Sequence, residues 1–179
     1  MSEAIGVIEF SSIARGIETT DRMLKAAQVT LLKSSTVCPG KYITILGGHV
    51  ENIRTAVGAG LRTGGEYVVD TLEIPNIHPQ LIPAIVQSSP VERPEAVGVM
   101  EFYSVTAGIL AADTAVKAAR VTLIEVKIGY AIGGKGVVLL TGDLDAVQTA
   151  IRAACPDGDQ LLQVSVIARP EHSLLETLL

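Results

Sequence analysis

Charge and aromatic side chains are scarce in this 179-residue chain. Asp, Glu, Lys and Arg make up 18%, aromatic residues 3%, and there is no Trp. Cysteine occurs twice. Each shortage excludes something. Two cysteines make no disulfide framework, so a reduced, cytosolic protein is expected. A net charge of -5 without a basic cluster argues against a nucleic-acid partner. No apolar run approaches the ~20 residues of a membrane span, and the N-terminus does not read as a signal peptide. No Ser/His/Asp or His/Glu constellation recurs around a plausible cleft, so no enzyme is expected. His49 and His78 have no partners at metal-ligand spacing, and Gly133-Gly134-Lys135 lacks the spacing of a phosphate loop.

What is present is Ala, Val, Ile and Leu. Hydrophobic residues reach 48%, and the mean hydropathy is +0.42. Such a chain is not disordered. With few charges to cover its apolar surface, it is expected to bury surface against copies of itself.

The sequence repeats. Ala4-Ile5-Gly6-Val7-Ile8-Glu9-Phe10 matches Ala96-Val97-Gly98-Val99-Met100-Glu101-Phe102. The register continues through Ser12/Ser104, Gly16/Gly108, Ile17/Ile109 and Asp21/Asp113 to Lys25-Ala26-Ala27/Lys117-Ala118-Ala119 and Val29-Thr30-Leu31/Val121-Thr122-Leu123. After a central loop it resumes two residues later in the second copy, with Gly40-Lys41 against Gly134-Lys135 and Gly48 against Gly142. A tandem duplication follows, with domains at 1–90 and 91–179 joined by the Pro- and Ser-containing stretch 87–94.

Each copy reads β-α-β-β-α-β, the split βαβ order of ferredoxin-like folds. Ser12 is expected to cap the first helix, and Asp143 the second helix of copy two. Ile17, Thr20, Leu24 and Ala27 form one apolar stripe, repeated by Ile109, Ala112, Val116 and Ala119. Glu9 and Glu101 stand at equivalent positions in apolar strands and read as satisfied structural carboxylates. Arg169 in the terminal tail is matched to His78 in copy one.

The copies part at one loop. Copy one has Thr36-Val37-Cys38-Pro39-Gly40; copy two has the longer Gly129-Tyr130-Ala131-Ile132-Gly133-Gly134. A duplicated scaffold that differs at one loop is expected to have its function there. A lone cytosolic cysteine is ordinarily a small buried hydrophobe. Cys155, before Pro156, is given that reading and no role.

Ala-Val-Gly-Val-Met-Glu at 96–101, the run 111–121, Lys127-Ile128-Gly129 and the terminal 167–172 carry a resemblance over nearly the whole chain. It resembles the tandem-domain shell proteins of bacterial microcompartments. Through Cys38-Pro39-Gly40-Lys41 it is most similar to the iron–sulfur type of propanediol-utilisation compartments.

The resemblance implies α+β shell domains and a homotrimer of tandem chains that forms a pseudohexameric tile. Such tiles pack edge to edge with other shell proteins, in a shell within the cytoplasm. It puts Thr36, Val37, Pro39, Gly40, Tyr130, Ala131, Ile132, Gly133 and Gly134 on loops around a pore, and Lys25, Lys117 and Arg169 at tile edges. It also implies one iron–sulfur cluster per trimer, of 4Fe-4S type, held through Cys38. Three thiolates meeting at an axis would repel, and a multivalent cluster offsets that. Three cysteines leave one iron of a cubane for water, substrate or another protein group. Free backbone N–H groups of the loop are expected to donate to the sulfurs. Lys33, Lys41 and Lys135 flank the loops and would offset an anionic cluster. An encapsulated or cytosolic redox protein would be the partner.

Zinc on the same thiolates stays open, since soft ligands do not choose between the two. So do a cluster-free tile whose pore passes a small polar metabolite, and a trimeric small-molecule sensor.

Overall fold

The computed structural model describes residues 3–86, 89, 91, 95–129, 132–155 and 160–178. The chain divides into two compact units, Met1–Ile77 with Gly129–Gly134, and His78–Ile128 with Lys135–Leu179. The described part of the stretch 78–90, given to the first repeat on sequence, therefore packs within the second unit.

In the first unit, β1 (Ala4–Phe10) leads to α1 (Ile13–Ala26), β2 (Thr30–Val37), β3 (Lys41–Gly48), α2 (Val50–Gly64), a 3₁₀ turn at Gly65–Tyr67 and β4 (Val68–Pro75). The antiparallel sheet runs β2-β3-β1-β4. Central β1 is buried along its whole length, which explains an apolar run rather than alternation. Ile8, Phe10, Met23, Leu46, Ile53 and Val57 are core residues of this unit, each worth about 1.5–3 kcal/mol on burial. Gly6 lets α2 lie close on β1: a Cβ there would sit 2.6 Å from Val57 Cγ2.

The second unit holds α3 (Leu81–Ile85), β5 (Ala96–Phe102), α4 (Val105–Ala118), β6 (Thr122–Ile128), β7 (Gly136–Gly142), α5 (Leu144–Ala154), β8 (Leu161–Ile167) and α6 (His172–Leu178). Its sheet runs β6-β7-β5-β8, the same topology. Two domains of the expected β-α-β-β-α-β order are therefore present, each a four-stranded sheet with helices.

Ser12 caps α1 as expected, accepting from Arg15 N–H at 3.3 Å. Its counterpart Ser104 accepts from Ala107 N–H at 3.2 Å. Asp143 differs: it stands at the N-cap of α5 but its side chain accepts no cap hydrogen bond.

The α1 stripe also divides differently from its sequence pattern. The buried residues of α1 are Gly16, Thr19, Thr20 and Met23, while Ile17 is 54% and Leu24 36% exposed. In α4 the same stripe is covered, with Ile109 at 0% and Val116 at 7%. Thr20 keeps its core place by bonding Gly16 O at 2.7 Å and the Thr44 hydroxyl at 2.6 Å, which satisfies a polar group in the core.

Candidate functional site

The sharp reversal between β2 and β3 carries the loop cysteine. Gly40 N–H donates to Val37 O at 3.0 Å, and the Cys38–Pro39 peptide is cis, the form of a type VI turn. Gly40 has φ +90°, a conformation that glycine adopts without steric cost. Val37 is buried beneath the turn, Cys38 is half-buried, and Thr36, Pro39 and Gly40 are exposed. Cys38 is thus half-buried on a short, hydrogen-bonded loop between exposed neighbours.

The second repeat's loop meets this turn. Cys38 N–H donates to Gly129 O at 2.9 Å. A Cβ on Gly134 would lie 2.6 Å from Cys38 O, and one on Gly129 2.7 Å from Val37 Cγ1. Close backbone approach is what these glycines permit. Gly133 is exposed and Ile132 half-buried. Tyr130 and Ala131 lie outside the described residues.

This geometry changes one expectation. The N–H groups of Cys38 and Gly40 are already bonded to Gly129 and Val37, and Pro39 has none, so these positions do not supply free donors to a sulfur ligand. The lysines differ as well. Lys41 Nζ lies 3.1 Å from Glu9 Oε1, whose side chain is 2% exposed. Lys135 Nζ lies 3.5 Å from Glu101 Oε2. The repeated glutamates are therefore structural partners of the post-loop lysines Lys41 and Lys135. No equivalent pairing was readable from spacing, because Glu9 and Lys41 meet only through the β1–β3 pairing.

Among the described residues no group of three or more His, Cys, Asp or Glu converges to hold a metal. One chain contributes one loop thiol, so a metal at Cys38 needs ligands from other copies. A thiolate presented on a fixed turn suits soft-metal and iron–sulfur chemistry. Cys155 stays inert: it is half-buried, its thiol donates to Met100 Sδ at 3.4 Å, and burial raises its pKa from the ordinary value, which suppresses the reactive thiolate.

The expected edge residues stand in unlike settings. Lys25 pairs with Asp21 at 2.6 Å with both side chains more than half exposed. Lys117 pairs with Asp113, whose side chain is 4% exposed; Asp113 also accepts from His78 N–H at 2.8 Å. Arg169 is exposed. The strand register corrects its counterpart. Ile5 pairs with Ile74 and Val97 with Ile167, so Arg169 matches Asn76 rather than His78. The tail's proline content misaligned the two on sequence. His49 pairs with exposed Glu3 at 3.1 Å.

The BMC domain matches residues 4–77 and again 96–170. The chain is 44% identical over 177 residues to the bacterial microcompartment shell protein PduT of Citrobacter freundii, covering 97% of this chain and 96% of that one. The crystal structure of a microcompartment protein from Desulfitobacterium hafniense superposes with a TM-score of 0.93 at 42% identity, covering 98% of this chain and 99% of that one. The fused permuted hexameric shell protein MSM0275 shares the fold alone, at TM-score 0.59 and 22% identity, over 84% of this chain and 80% of that one.

Two tandem α+β units, each matched by the BMC domain, define a shell building block. The chain belongs to the BMC-domain family of bacterial microcompartment shell proteins. It is a structural component of such a shell, and no helix among its described residues is long and apolar enough to cross a membrane.

Proposed function

We propose that this shell protein works as a homotrimeric, pseudohexameric tile, with the Cys38 thiolates of three copies converging to hold one iron–sulfur cluster. The observation that carries the reading is the Cys38 turn: a half-buried cysteine on a hydrogen-bonded loop, against the one loop of the second repeat that differs from it. The similarity to PduT over nearly the full chain supports it. Cys38 would be the ligand. The Gly40–Val37 and Cys38–Gly129 hydrogen bonds would hold its backbone, and Gly133 and Gly134 would leave room for close approach. A cluster held there would supply one-electron transfer, or exchange of cluster components, across the shell, with a redox protein as partner.

Anaerobic reconstitution followed by iron and sulfide analysis tests this. About one cluster per three chains is expected; protein without iron would leave a tile whose central opening passes a small polar metabolite. Lateral packing has its own test. Replacing Lys25→Ala and Lys117→Ala together is expected to weaken sheet formation in electron micrographs while the trimer persists. Sheets as extensive as the parent's would remove these lysines from the edge.

A further inference from the structure

The two inter-strand loops end on equivalent glycines that stand in unlike surroundings. Gly40 precedes Lys41 and Gly134 precedes Lys135, and both glycines have positive φ, +90° and +78°. A Cβ on Gly40 would meet nothing within 4 Å, whereas one on Gly134 would lie 2.6 Å from Cys38 O and 3.5 Å from Pro39 Cδ. Turn conformation alone therefore accounts for glycine at 40. At 134 the space is also closed by the Cys38–Pro39 peptide, a backbone group that cannot swing aside as a side chain can.

The start of the same loop holds the other flank of the turn. The Gly129 carbonyl accepts from Cys38 N–H at 2.9 Å, and a Cβ on Gly129 would lie 2.7 Å from Val37 Cγ1 and 3.6 Å from Thr36 O. Gly129 and Gly134 are both buried, while Gly133 is exposed and a Cβ on it would meet nothing within 4 Å. Gly129–Gly134 packs with the first unit, although Ile128 and Lys135 on either side belong to the second. In this loop Ile132 stands two residues before Gly134, as Cys38 stands before Gly40. The loop without a cysteine thus grips the turn that has one, by a hydrogen bond at the Cys38 N–H and by contact at the Cys38 carbonyl.

We infer that Gly129 and Gly134 are positioning residues for the Cys38 ligand, and that the second repeat's loop is a clamp on the cysteine turn rather than a second lining of a pore. The first repeat supplies the ligand, and the second fixes where the ligand's backbone stands. The inference rests on the cluster reading for what Cys38 holds; the clamp itself rests on contacts within one chain. Three copies that share a cluster must present their sulfurs at matching places, and a displaced turn is repeated in all three. Outer-shell supports of this kind are typically worth about 10- to 100-fold in metal affinity.

Gly134→Asn beside Gly133→Asn tests it. Asn tolerates a left-handed backbone better than most residues, so the two variants differ chiefly in whether the new side chain meets Cys38. Reconstituted Gly134→Asn is expected to hold iron about 10- to 100-fold less tightly against a chelator, and the cluster it retains should show shifted EPR g-values. Gly133→Asn should match the parent in both. In metal-free protein carrying Cys155→Ser, iodoacetamide should alkylate Cys38 faster in Gly134→Asn than in the parent, because the turn is displaced from its clamp. The parent's g-values in iron-loaded Gly134→Asn overturn the clamp and leave the cluster reading intact. A parent without iron removes the cluster reading. The alkylation rates then decide, a faster Gly134→Asn upholding the clamp and an equal one overturning it. Circular dichroism checks the fold. If Gly134→Asn does not fold, Gly129→Ala, on the other flank of the turn, is read in its place by the same measures.

Discussion

Cys38→Ser is expected to leave reconstituted protein without iron or sulfide, with its visible charge-transfer absorbance and EPR signal gone, and with its mass and circular dichroism unchanged. The size of the effect follows from counting ligands. Iron–sulfur centres ordinarily take four thiolates. With one thiol per chain at the loop, a single substitution removes three ligands from an assembled trimer at once. No neighbouring His, Cys, Asp or Glu cluster among the described residues stands ready to substitute. The fold should be indifferent, because Cys38 is half-buried at a turn and the turn's hydrogen bonds use backbone atoms of Val37, Cys38, Gly40 and Gly129. Cys155→Ser serves as the internal comparison. Its thiol bonds Met100 inside the second unit, so iron content should stay at the parent level. If Cys38→Ser retains the parent's iron, the loop is not the ligand.

Much of the architecture could be read directly from the duplication. The Gly6/Gly98 and Glu9/Glu101 pairs mark central strands, and the Ser12/Ser104 pair marks helix starts, because strand burial and capping are local properties that both copies show. The difference between loops also pointed to Cys38. What sequence could not show was anything set by partners distant along the chain. Ile17 and Ile109 occupy matching places in the two repeats, yet one is open and the other covered, where α3 packs on α4 and β6. Lys41 read as a free cation because Glu9, 32 residues earlier, meets it only through sheet pairing. The loop's N–H groups read as available because Gly129, their acceptor for Cys38, belongs to the other repeat. Asn76 escaped notice as the match to Arg169 because a tail rich in proline allows a sequence shift that a paired strand does not.

Lys41→Met is expected to lower stability by about 2–3 kcal/mol, a little under the 3–5 kcal/mol typical of breaking a fully buried ion pair. The reduction reflects solvent at one partner: the Lys41 side chain is 29% exposed, whereas that of Glu9 is 2% exposed. The variant strands a carboxylate within central β1, where its desolvation is no longer offset. Glu9→Leu combined with Lys41→Met should recover most of the loss, because an apolar pair of similar volume removes the buried charge along with its partner. Urea unfolding of the parent, the single variant and the double variant measures both terms. The pair also bears on the site. Lys41 directly follows Gly40, and its tie to β1 fixes the strand end from which the Cys38 turn projects. Lys41→Met should therefore reduce iron retention at temperatures where the chain remains folded, while the double variant, equally stable or nearly so, should share that defect. Equal iron retention in parent and double variant would make the Glu9–Lys41 pair a matter of stability alone. A single variant as stable as the parent would mean that water reaches the Glu9 carboxylate once the lysine is gone.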